Sequence, residues 1–280
     1  MIWEPIANIA AALCIGLVFA WVHRKLVAKM QKRVGPPMLQ PVYDILKLLS
    51  KQRIRSAADF FVFLSLVFVA MAASAIPLFG GGGDVILFAY ALATASVMLV
   101  MVGFATRSPY TVIGASRELQ QTFFIEFAFL ALVLSAAAFA KSTAFSSMLA
   151  FQEANPFTLV FVIGFVLSIP IMQAKLRLRP FDTQESHSEV VHGVDTELSG
   201  FSLALLEASH VMELFIVPFA MVSLFAHTTL AIDLAVSVVV LALLSLIEAT
   251  SARLRPDQCA NALLVAGVAS VAMLALGGLL

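Results

Sequence analysis

The sequence predicts an all-α, polytopic membrane protein, and three observations carry that prediction. Of 280 residues, 61% are hydrophobic and only 12% charged, too little polar surface to cover a compact soluble body. The apolar residues gather in eight runs, near 6–22, 58–79, 84–105, 119–140, 156–174, 201–226, 228–248 and 259–280. Each run is about 20 residues, roughly 30 Å as helix, which matches a hydrocarbon core. Finally, 16 of the 17 lysines and arginines fall in alternate connections, 23–57, 106–118, 175–200 and 249–258, and only Lys141 falls on the other side. The positive-inside rule then places those four loops in the cytoplasm and both termini outside, in a single membrane domain spanning 1–280.

The first run is followed rather than preceded by positive charge, so it is read as a retained anchor and not as a cleaved signal. Gly35-Pro36-Pro37 then fixes a turn. Between residues 40 and 51, Val42, Ile45, Leu46 and Leu49 follow helical spacing with Asp44, Lys47, Ser50 and Lys51 opposite. That pattern predicts an amphipathic helix along the membrane surface, serving either as a lipid anchor or as the docking face for a soluble partner.

Ionisable residues inside the spans cost on the order of 2.5 to 3.5 kcal/mol each at mid-membrane, so each needs a reason. Glu126 lies in the fourth span, and Glu207, His210 and Glu213 lie in the sixth at i, i+3 and i+6, within about a third of its circumference. Asp233 and Glu248 lie near the ends of the seventh, where snorkelling to water favours a structural role.

The loop 175–200 concentrates five of the 17 acidic residues. Asp182, Glu185, Glu189 and His192 stand at offsets that share one face if the segment is helical. Asp182 with Glu185 also reads as a capping box, and Gly193 would end a helix of about ten residues. The segment is either a proton-binding stripe or a solvated acidic connection. Cys14 and Cys259 supply neither a disulfide framework nor the four thiolates of an iron–sulfur cluster, so any electron carrier is expected on another chain. No catalytic or metal-ligating residue is assigned.

Arg179-Pro180-Phe181-Asp182, followed by Glu185, Glu189, Gly193, Glu197 and Ser199-Gly200, resembles the charged loop of the subunit 1 family of respiratory complex I and of its membrane-bound [NiFe] hydrogenase relatives. Three other stretches agree. Arg33-Val34-Gly35-Pro36-Pro37 with Gln40-Pro41 and Tyr43-Asp44 through Lys47-Leu48-Leu49 resembles the family's first loop; Gly114 to Glu118, with Glu126 beyond, resembles its fourth helix; Ala252 to Gln258 resembles its last loop. The compact first loop, the Tyr43-Asp44 pair, the Gly80 to Asp84 turn and Ser116-Arg117-Glu118 resemble the hydrogenase branch more than complex I, and His187 and His210 stand where the complex I pattern has glutamates.

The resemblance implies a subunit of a multi-subunit oxidoreductase in a prokaryotic plasma membrane, without a redox centre of its own. It would anchor the peripheral electron-transfer arm and couple it to proton or sodium translocation. Glu126, Asp182, Glu185, Glu189 and Glu197, with Glu207, His210 and Glu213, would form the ion-coupling relay. Arg33, Gly35, Pro36, Gln40, Pro41, Tyr43, Asp44, Lys47, Arg117, Arg179, Arg253 and Arg255 would dock partners. Those partners would be hydrogenase-like and iron–sulfur subunits on the cytoplasmic face, antiporter-like and small membrane subunits, and the bilayer, with no nucleic acid. Iron–sulfur clusters and a NiFe centre would sit on the partner subunits. A complex I-type enzyme would instead need an apolar quinone tunnel over residues 40–51, which Met38, Leu39, Tyr43 and Phe181 are expected to fill. A stand-alone transporter is the further alternative, although the halves of the chain show no internal repeat.

Overall fold

The computed structural model describes residues 3–52, 56–78, 83–106, 108–154, 159–184 and 191–279. Its elements are helices: α1 (Trp3–Met30), α2 (Gln40–Ser50), α3 (Asp59–Ala75), α4 (Val85–Thr106), α5 (Pro109–Ala140), α6 (Phe145–Ala154), α7 (Leu159–Lys175), a 3-10 helix (Gly193–Glu197), α8 (Phe201–Phe225), α9 (Leu230–Thr250) and α10 (Pro256–Leu279). An isolated antiparallel bridge joins Asp84 to Ala144 between the ends of α4 and α6.

Helix boundaries follow local chemistry. Proline opens α2, α5 and α10 within the first two helical positions, where its missing N–H is harmless. Ile76 precedes Pro77 and is extended (φ −72°, ψ 146°), which stops α3. The Asp84 carboxylate accepts from the Ile86 N–H at 2.9 Å and starts α4. Lys141, left-handed at φ 51°, ends α5. Thr229 caps α9 by accepting from the Ile232 N–H at 3.4 Å. The amphipathic helix predicted at 40–51 forms as α2. The first run extends to Met30, past its apolar part, because the long basic stems of Arg24, Lys25 and Lys29 can lie along the helix and favour its negative end.

Six helices, α1, α4, α5, α8, α9 and α10, are long and apolar enough to cross a membrane. The other two predicted spans appear as the shorter apolar helices α3 and α7, of 17 residues each. Helix α8 is the hub: it packs against α1, α2, α3, α7 and α9, while α4 and α5 close the far side of α3 and α10 lies along α5 and α7. From Phe215 to Phe225 every residue of α8 is buried. Around it Phe19 meets Phe215 edge-on at 5.2 Å, and Phe215 meets Phe219 at 5.3 Å. Gly16 lets α1 approach the α8 backbone, since a Cβ there would overlap the Val211 carbonyl.

Candidate functional site

The last turn of α7 carries Lys175, and the turns after it carry Arg177 and Arg179. This spacing sends three cations to three places. Lys175, with a side chain 2% exposed, pairs with Glu126 of α5, donates to Ser96 Oγ at 2.9 Å and to the Leu92 carbonyl at 3.2 Å, and lies 5.6 Å from the Phe129 ring. The other Glu126 carboxylate oxygen, Oε2, is buried with no hydrogen-bond partner. Arg177 pairs with buried Glu118 at 3.2 Å and donates to His210 Nε2 at 2.5 Å. An arginine can only donate, so Nε2 is the bare nitrogen and His210 is held neutral with its proton on Nδ1. Buried Glu213, one turn along α8, faces the charges of Arg177, Lys175, Glu118 and Glu126.

These groups open onto a cavity of about 430 Å³ whose walls include His23, Arg24, Arg177, Arg179, Asp182, Glu207, His210, Glu213, Glu248 and Arg253. On its other wall, His23 Nδ1 lies 2.9 Å from Ser245 Oγ, and that hydroxyl donates to the Leu241 carbonyl at 2.8 Å. Nδ1 must therefore carry a hydrogen, which leaves Nε2 facing Glu248 Oε2 at 3.2 Å. Arg179 approaches Glu248 at 3.8 Å, and Arg253 grips both oxygens of Asp182 at 2.7 and 2.6 Å.

The 3-10 helix contributes Asp195. Burial pushes its carboxyl up to about 7; Arg177 opposes that shift, while Glu207 and Glu118 add to it. The helix reaches this place because Gly114 of α5 and Gly193 meet: a Cβ on Gly114 would come within 2.8 Å of Gly193 Cα, and Gly193 is left-handed at φ 59°.

The structure thus brings Glu126, Asp182, Glu207, His210 and Glu213 to one region and separates Glu197, which is exposed. Glu185 and Glu189 of the acidic stripe, with His187, lie outside the described residues. Arg253 takes both oxygens of Asp182, and the capping box with Glu185 lies outside the described residues. Gly193 starts the 3-10 helix, and the ten-residue helix expected before it falls mainly outside the described residues. Several residues assigned to docking are committed inside the chain. Arg179 and Arg253 line the cavity, Arg117 donates to the Thr183 carbonyl at 3.3 Å, and Asp44 accepts from Arg24 at 2.6 Å and from Gln40 at 2.8 Å. Pro41 is buried, Gly35 packs on Lys25 and Ala28, and the Pro36 carbonyl accepts from Trp21 Nε1 at 3.3 Å. Arg33, Tyr43, Lys47 and Arg255 are exposed.

Of the four residues expected to fill a quinone tunnel, Phe181 is buried, but Met38, Leu39 and Tyr43 are 55%, 53% and 54% exposed, so they fill no interior space. Sequence reasoning missed Lys175, Arg177, Glu118 and Asp195 as site residues and gave Glu248 a structural role. The signal for the cations was present: three basic residues at every second position directly after an apolar helix. Among the described residues, no group of three or more His, Cys, Asp and Glu side chains is placed to hold a metal ion.

Residues 4–277 match the family model described as NADH dehydrogenase. An NADH-quinone oxidoreductase subunit of Dehalococcoides mccartyi (strain CBDB1) is 31% identical over 207 residues, 68% of this chain and 58% of that protein's length. Hydrogenase-4 component C of Escherichia coli (strain K12) is 31% identical over 217 residues, 71% of this chain and 67% of the relative. The chain therefore spans little more than half of the Dehalococcoides relative. In three dimensions, a chain of the membrane-bound sulfane sulfur reductase, an archaeal respiratory membrane complex, superposes with a TM-score of 0.87 at 22% identity, covering 99% of this chain and 98% of that one.

Proposed function

The chain belongs to the NADH dehydrogenase family, and from that premise we propose that it is the membrane subunit of an energy-converting respiratory complex. It anchors a peripheral electron-transfer arm and couples its redox reaction to proton or sodium translocation. The observation that carries this reading is the paired row Arg177–Glu118 and Lys175–Glu126 with Glu213 between them, leading from a charged cavity into the bundle. A purely structural anchor would gain more from leucine at these positions.

The mechanism lies in proton counting. Glu126, Glu213 and Glu118 share the field of two fixed cations at the cavity wall that Arg177 and Glu213 line, and Asp195, within the field of Arg177, carries a carboxyl raised to about 7. A charge arriving in the arm beside this wall would change which of these carboxyls holds a proton. The Arg177 bonds to His210 and Glu118 would pass that change toward Lys175 and Glu126. Glu185, Glu189 and Glu197 are the loop members of the same relay.

In this reading α3 and α7 also cross the membrane, giving eight spans in one membrane domain, with the charged loops in the cytoplasm and both termini outside, in a prokaryotic plasma membrane. Helices of about 26 Å fit by modest thinning or tilting of neighbours. Exposed Arg33, Tyr43, Lys47 and Arg255 meet the peripheral hydrogenase-like and iron–sulfur subunits, which carry the iron–sulfur clusters and a NiFe centre. Antiporter-like and small membrane subunits flank the bundle. The hydrogenase-type branch is supported by the compact first loop, the Tyr43-Asp44 pair and Ser116-Arg117-Glu118. The test is to purify the intact complex and assay it with soluble ferredoxin and, separately, with a short-chain quinone. Ferredoxin-dependent turnover is expected. Quinone-dependent turnover blocked by a quinone-site inhibitor, with no ferredoxin activity, would assign the complex I type instead.

A further inference from the structure

At the opposite end of α9 from the charged cavity lies a second ionisable group that the relay does not use. Asp233 is 0% exposed, 15 residues and therefore about 22 Å of helix away from Glu248. Its Oδ2 lies 2.5 Å from His227 Nδ1 and 3.5 Å from Ser223 Oγ, and its Oδ1 accepts from the Thr228 N–H at 3.2 Å. The other imidazole nitrogen, Nε2, lies 3.6 Å from the carboxylate of Glu153 on α6, whose side chain is 62% exposed. His227 is itself fixed, its backbone N–H donating to Gln152 Oε1 at 2.8 Å. Glu153 and His227 both line a cavity of about 490 Å³ together with Ser146 and Thr229, and among the described residues no lysine or arginine lines it.

The series exposed carboxylate, buried imidazole, fully buried carboxylate is more than an end cap requires: Thr229 already caps α9, and an asparagine at 233 could accept the same bond from the Thr228 N–H. From these distances and exposures we infer that Glu153, His227 and Asp233 form a proton port on the outer membrane face, exchanging protons between bulk water and buried Asp233. The sidedness rests on the function proposed above. A proton from water, collected by Glu153, binds His227 Nε2. The Nδ1 proton passes to Asp233 Oδ2, and the imidazole returns to neutrality as the other tautomer, so one proton enters for each one delivered. Outward transfer is the reverse. The titratable groups facing His227 are Glu153 from α6 and Asp233 from α9; α8 contributes the Ser223 hydroxyl. The buried face of α9 continues inward through Ser237 and Ser245 toward Glu248, interrupted by Leu241 and Leu244.

The test uses the intact complex in proteoliposomes, with inner pH held constant and outer pH varied between about 5 and 8. The ratio of ions moved per electron is measured for wild type, Glu153→Gln and His227→Gln. Wild type is expected to respond to outer pH, Glu153→Gln to shift that response, and His227→Gln to flatten it, with ionophore-released electron transfer unchanged in both. Wild-type outer-pH profiles in the variants overturn the port and leave the main reading standing. A complex that transfers electrons and moves no ions overturns both. If His227→Gln does not assemble, Glu153→Gln decides alone, because its exposed carboxylate carries none of the fold.

Discussion

Lys175 is the residue whose loss should be felt most, because it is the buried cation against which Glu126 is balanced. Lys175→Leu leaves that carboxylate uncompensated and should lower the stability of the subunit by about 3–5 kcal/mol, read as loss of assembled complex or a lowered melting temperature. Adding Glu126→Leu should restore assembly but not ion coupling; a double variant no more stable than Lys175→Leu alone would mean that the pair is not what holds this region. Asp195 makes a pH prediction. Its folded carboxyl titrates at about 7, against roughly 4 for an exposed aspartate, so the folded chain holds a proton that the unfolded chain has released. Its contribution to stability is present at low pH and is lost as pH rises through 7. Asp195→Asn should remove that slope and abolish a protonated-carboxyl infrared band that bleaches across neutral pH. Arg177→Gln should move the band's midpoint upward, since the guanidinium opposes the shift. An unchanged band in Asp195→Asn would reassign it to another carboxyl.

At the scale of elements, the contact of the 3-10 helix with α5 rests on two glycines. Gly114→Ala would push a methyl group against Gly193 and should cost about 1–3 kcal/mol, with Asp195 moved toward water and the midpoint of its infrared band shifted downward as the burial that raises it is lost. A variant with wild-type stability and band would show that the loop has room to move. Helix positions were legible because apolar runs, prolines and charges change sharply at membrane boundaries, and α2 was legible from its spacing. The meeting of α5 with residues 193–197 was not, because glycines more than seventy positions apart carry no periodic signal. Long separation likewise hid Arg177–Glu118, 59 positions apart, and the approach of Glu153 to His227. Glu126, Glu207, His210 and Glu213 stood out, since any ionisable residue inside an apolar run is costly. Their cationic partners sat just beyond the run, where lysine and arginine look like ordinary topology markers. Half-buried Asp195 and exposed Glu197 lie two residues apart, and spacing alone could not say which one the chain would turn inward.

For the whole molecule, the proposed orientation predicts sided chemistry. In a background without Cys14 and Cys259, Ala252→Cys should react with an impermeant maleimide only from the cytoplasmic face and Thr143→Cys only from outside, both positions lying in connections between helices. Labelling of both from one face would break the eight-span arrangement. The central claim is that buried carboxylates on this chain couple electron transfer to ion movement. Its most direct test is the number of ions moved per electron by the purified complex in sealed proteoliposomes carrying Glu213→Gln, which keeps the shape of the side chain and removes its titratable proton. The account predicts an assembled complex that still transfers electrons once an ionophore is added, while its ion-to-electron ratio falls severalfold. A wild-type ratio in that assembled variant, and again in Glu126→Gln, would contradict it.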